Sequence, residues 1–189
     1  MPKEIATLPP LAELKNETPL SPRTGEPRRP AAVAVAAVVL YLAVAAVAFS
    51  YGWHWFRAAY SETYPGSAHL TVWLEPEPGK WVSLFLEFVY AGLVGLTGAA
   101  AGVVGFHAWN GERWTRWGGL VALALTGLLA GLVNLWALIA LGLVVLGLAL
   151  LFTPPVGRYF REWDDVRSRS EPRYRRPTAV VYGRLPRYR

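Results

Sequence analysis

From Trp117 to Phe152 the chain runs 36 residues without a charge, and only Thr126 and Asn134 interrupt its apolar character. As one helix this stretch would reach about 54 Å, at about 1.5 Å per residue, against a hydrocarbon layer of about 30 Å. The run is therefore expected to form two spans folded back at Val133-Asn134-Leu135-Trp136, with Asn134 as the turn residue. A hairpin returns the chain to the side it left, so Trp117 and the Arg-rich segment after Phe152 share one face of a membrane.

Composition agrees with a membrane domain. Apolar residues make up 53% of the chain and charged residues only 17%, against about 25% in soluble domains. Cys is absent, which removes disulfides, thiolate metal sites, iron–sulfur clusters and Cys nucleophiles. The net charge of +6 would suggest nucleic acid in a soluble protein. Here Lys and Arg are distributed by membrane side, and no nucleic-acid partner is expected.

Residues 1–30 carry seven Pro, five Lys or Arg and four acids, with no apolar periodicity. Residues 1–29 are accordingly expected to be a disordered cytoplasmic arm. The first span is expected at about 31–53, entered through Pro30, whose fixed φ suits a helix start. Ala32, Ala36, Ala43, Ala46 and Ser50 recur at near-helical spacing and make a small-residue seam. Ala46-Val47-Ala48 also has the form of a signal cleavage site; on either reading the following residues lie outside.

Residues 54–80 read as an outer loop. An aromatic belt from Tyr51 to Tyr64 sits at headgroup level, and Glu62, Glu75 and Glu77 outnumber Arg57 and Lys80. His69–Leu74 reads as a short strand or as a strip lying on the membrane. His54 is expected to be solvated or interfacial, and with His69 it lacks a spacing that would place metal ligands on one face. No metal and no cofactor is expected.

The second span is expected at about 81–106 and the third at about 113–133, each with a small-xxx-small pair: Gly98 with Gly102, and Gly127 with Gly131. These four glycines are expected to be helix-packing positions. Asn110 reads as the cap at the start of the third helix. Arg113 and Arg116 among Trp109, Trp114 and Trp117 mark a membrane boundary rather than a nucleic-acid stack. His107 falls on the opposite side from His54, so these two cannot clamp one haem.

The fourth span, about 136–152, stops at Thr153-Pro154-Pro155. Residues 157–189 hold ten Arg against four acids. They are expected to form a disordered, Arg-rich cytoplasmic tail attracted to anionic lipids. Every loop then agrees with one topology: four transmembrane helices packed as a small bundle in an inner (plasma) membrane, both termini cytoplasmic. The segment Leu150-Leu151-Phe152-Thr153-Pro154-Pro155-Val156-Gly157-Arg158-Tyr159-Phe160-Arg161 resembles the close of small, uncharacterised four-span bacterial integral membrane proteins. That resemblance covers the last two spans and implies a helix stop with a cytoplasmic anchor; it implies no activity, cofactor or functional residue.

No phosphate loop, zinc-protease motif or nucleophile elbow occurs. One ionisable residue lies inside a span: Glu87, about 9 Å below Trp81, on a helix face with Ser83, Ala91 and Gly98. A charge at that depth faces protein or water rather than lipid. Ser50, Tyr51 and Asn134 lie level with it, and Glu87, Ser83 and Asn134 form the candidate intramembrane polar site. With Lys80 two turns away as the nearest cation in sequence, Glu87 is expected to sit uncharged there. The functional expectation is a non-catalytic accessory or scaffold component of a membrane assembly, whose partners are the bilayer and another membrane protein. Its rivals are a small transporter or channel using Glu87 and a membrane-embedded lipid-modifying enzyme.

Overall fold

The computed structural model describes Ser21 and residues 26–168; the expectations for residues 1–20, 22–25 and 169–189 lie outside the described residues. Six helices make up the described chain: α1 (Ala31–Ala58), α2 (His69–Leu74), α3 (Trp81–Trp109), α4 (Thr115–Leu132), α5 (Ala137–Leu151) and α6 (Pro154–Ser168), with a 3-10 turn at Tyr64–Gly66. α1, α3 and α4 are each long and apolar enough to cross a membrane. α5 has 15 residues and reaches that length only when counted with α6, which continues beyond a 63° bend. The chain is thus an all-helical membrane protein over its described part.

The four long apolar helices close a ring, α1 against α3 and α5, and α4 against α3 and α5. α1 and α3 run antiparallel, His54 meeting Glu87 at one end and Leu40 meeting Gly105 at the other, and the short connections from α3 to α4 and from α4 to α5 give antiparallel neighbours in turn. Large apolar side chains such as Leu42, Phe49, Phe85, Phe88, Leu138 and Ile139 point outward. In lipid such a surface is solvated, and helix association comes from close packing and internal hydrogen bonds.

Close packing is set by small residues, and not at the glycines the small-xxx-small pattern selects. A Cβ on Gly105 would lie 3.3 Å from Leu40 Cβ and 3.5 Å from the Ala37 carbonyl oxygen, and one on Gly147 would lie 2.9 Å from Leu40 Cγ. These two glycines let α3 and α5 approach α1. At Gly98 and Gly102 a Cβ would make ordinary contact with Val44, at 3.9 and 3.7 Å, whereas at Gly127 and Gly131 it would meet nothing within 4 Å. Gly127 and Gly131 therefore pack against no neighbouring helix of this chain.

The interior has three layers. Val47, Leu86, Tyr90, Leu129, Val133 and Ala137 fill the end that holds Asn134. Ala43, Ala101, Ala122 and Val144 fill the middle, each fully buried. The third layer, at the opposite end, contains Val33, Leu40, Val104 and Leu151 together with Val156, Tyr159 and Phe160 of α6.

That last group corrects the expected tail. Residues 157–168 continue as helix α6 and are docked, because Val156, Tyr159, Phe160 and Trp163 recur at i, i+3, i+4 and i+7 and form one apolar stripe. Pro154 and Pro155 do end α5, yet they also start α6, where a missing N–H costs nothing. The Tyr159 hydroxyl donates to the Trp109 carbonyl at 2.8 Å, Arg113 pairs with Asp164 at 2.9 Å, and Arg167 donates to the Asn110 carbonyl at 2.6 Å. Asn110 is accordingly the residue that ends α3, and α4 begins only at Thr115. At the same end the Arg29 guanidinium lies 4.0 Å over the Trp109 ring.

Candidate functional site

The polar side chains inside the bundle gather at the Asn134 end. Asn134 occupies the α4–α5 turn and is 8% exposed. Its amide donates to the Ser50 carbonyl at 3.0 Å, and its own carbonyl accepts from the Ser50 hydroxyl at 2.8 Å and from the Trp136 N–H at 3.1 Å. One short side chain thus satisfies the turn's backbone and fastens the hairpin to α1. From the loop side, the His69 N–H donates to the Val133 carbonyl at 2.8 Å, and its ring Nδ1–H donates to the Gly131 carbonyl at 3.1 Å. The segment His69–Leu74, open between strand and surface strip in the sequence, is the helix α2 lying over this turn.

Glu87 does not meet Asn134. Its carboxylate accepts from His54 Nε2, at 2.9 Å to Oε2 and 3.1 Å to Oε1. His54 is 0% exposed, which overturns the solvated or interfacial position expected for it. The reason is that α1 runs on to Ala58, past the expected end of the span, and carries the stripe Ala43, Val47, Ser50, His54 one turn further into the interior. That i, i+4, i+7, i+11 spacing was the signal available in the sequence; the aromatic neighbours on the other faces of α1 concealed it. His54 also supplies the partner that Lys80 cannot, since Lys80 pairs with Glu77.

The face of α3 differs in detail from the expected one. Ser83, Leu86, Tyr90, Leu93 and Thr97 form the buried stripe, with Glu87 at its edge and Ala91 exposed. Ser83 donates to the Lys80 carbonyl at 2.7 Å and closes the first turn of α3. Tyr90 stands edge-on to His54, ring centres 4.9 Å apart, and Tyr51 stacks on the other side at 6.1 Å.

Glu87 is the member of this cluster that reaches open space, its side chain 18% exposed. It borders a cavity of about 330 Å³ walled by Trp55, Tyr64, Ser83, Leu84 and residues of the loop. The Tyr64 hydroxyl in that wall is buried and lies beside the Ser83 hydroxyl. Burial pushes the Tyr64 phenol above its ordinary range, and the charge of Glu87 pushes it the same way. His54 Nδ1 is buried without a hydrogen-bond partner.

Among the described residues no Lys or Arg forms an ion pair with Glu87. Among those residues no group of three His, Asp or Glu is arranged to hold a metal ion. Compared with known proteins, the chain matches no family model, no curated protein and no solved structure.

Proposed function

We propose that the protein is a non-catalytic accessory or scaffold component of a membrane assembly, spanning a bacterial inner membrane four times with both termini cytoplasmic. The observation that carries this reading is the closed middle of the bundle. Ala43, Ala101, Ala122 and Val144 meet there without exposed surface, and the two nearby hydroxyls are spent on their own helices, Thr97 on the Leu93 carbonyl and Thr126 on the Ala122 carbonyl. Transport through one chain needs a continuous polar path, and here the polar groups stop at one end. Orientation is supported by charge: Arg29, Arg113, Arg116 and Arg167 gather at the end opposite Asn134, as the positive-inside rule requires of a cytoplasmic face.

One observation favours a second reading, a small transporter or channel using Glu87: the carboxylate faces a cavity rather than lipid. Under that reading a path would form between copies of the chain. Purification in mild detergent, followed by mass spectrometry and mass determination of the particle, tests both. A stoichiometric foreign membrane protein supports the accessory reading, a homo-oligomer supports the second, and a clean monomer counts against both.

A further inference from the structure

We propose that the cavity beside Glu87 is a binding site for a small organic ammonium group, presented either by a lipid headgroup or by a free amine. The Glu87 carboxylate, held from inside the bundle by His54 Nε2, is the part of the pair that meets the cavity. The remaining wall is chosen for a cation with an organic body. Trp55 and Tyr64 present aromatic surface, which attracts ammonium groups through the ring quadrupole, and Leu84, Ala58 and Pro78 present apolar surface.

A bare metal ion fits this wall poorly. Hard cations take six or more oxygen ligands, whereas here the side chains of the wall offer one carboxylate and the hydroxyls of Ser61 and Ser83, the latter already committed to the Lys80 carbonyl. The neighbouring cations are also committed or turned away. Lys80 pairs with Glu77, and the Arg57 guanidinium packs against Gly66. The volume of about 330 Å³ accepts an ethylammonium or tetramethylammonium head. Because the loop residues Ser61, Pro78 and Gly79 line the rim, the opening lies at headgroup level, where both sources of ammonium are present.

The inference rests on the one-ended reading of the bundle but not on a protein partner, so a partnerless protein that still takes up ammonium leaves it standing. The test uses the full chain in nanodiscs of phosphatidylglycerol alone, titrated with ethylammonium chloride, tetramethylammonium chloride or, at equal ionic strength, sodium chloride. Both ammonium salts should raise the thermal midpoint by about 3 °C or more over sodium. Glu87→Gln, which keeps an acceptor for His54, should abolish that excess. Should Glu87→Gln fail to fold, Trp55→Leu, altering a half-exposed wall residue, should weaken the half-saturating concentration at least about threefold. Nanodiscs containing phosphatidylethanolamine identify the source. If they raise the midpoint and remove the response to free ethylammonium, the headgroup is the ligand; if the response persists unchanged, it is a free amine. An ammonium response no larger than that to sodium, or one that Glu87→Gln retains in full, overturns the proposal.

Discussion

His54 has no exposed surface, and its one hydrogen-bonded partner is Glu87. Removing the carboxylate therefore strands a buried N–H, whereas replacing it with an amide does not. Glu87→Leu should destabilise the protein by about 1–3 kcal/mol and Glu87→Gln by much less. Pairing Glu87→Leu with His54→Leu should cost less than the sum of the two, because the second substitution removes the donor that the first left unsatisfied. Thermal unfolding in detergent of the four proteins reads this cycle, and strict additivity would show that the two side chains do not interact. A backbone constraint of comparable weight lies at Gly111. Its φ is +76°, and a Cβ there would collide with the Trp163 ring. Gly111→Ala should therefore force Trp163 out of its seat and weaken the α6 contact, read as increased proteolysis within residues 157–168.

Among the elements, α6 is the one whose role differs most from its composition. Arg158, Arg161 and Arg167 give it the look of a solvated tail, but a charged helix with one apolar stripe docks by that stripe. Val156, Tyr159 and Phe160 cover Val33, Leu40, Val104 and Leu151 at the end of the bundle. A chain ending after Ser168 should fold and run as one species, whereas one ending after Thr153 leaves that layer open. The shorter chain should aggregate or lose several degrees of thermal stability, and equal behaviour of the two would mean that α6 contributes no packing. The periodicity of α6 was present in the sequence at positions 156, 159, 160 and 163; high charge density across the segment hid it. The α4–α5 turn is the opposite case. Asn134 alone interrupts the apolar run at a position where a turn residue must stand, so its place was legible, while its attachment to Ser50, 84 positions away in the chain, was not.

For the whole molecule, charge asymmetry sets the expected orientation. Reporter fusions after Gly66 and after Arg176 should report opposite sides of the membrane, since an odd number of crossings separates them if α3, α4 and α5 each span. Matching signals would mean that α5 with α6 does not cross, leaving three spans. Under the proposed orientation the Glu87 cavity would open on the outer face, away from the Arg-bearing end.

What the sequence determined by itself is whatever follows from length, period and charge along the chain. Apolar runs longer than a bilayer is thick must break and turn back, and clusters of Arg select a side. Which buried groups meet is a different kind of fact, because it depends on rotation about each helix axis and on which helices become neighbours. One more turn at the end of α1 carried His54 from the headgroup level into the interior, and the closure of α1 against α3 brought it to Glu87. The tight approach at Gly105 and Gly147, and the open surroundings of Gly127 and Gly131, were likewise decided by the tertiary arrangement. A glycine pattern marks where two backbones are able to come close, and only the position of the facing helix determines whether they do.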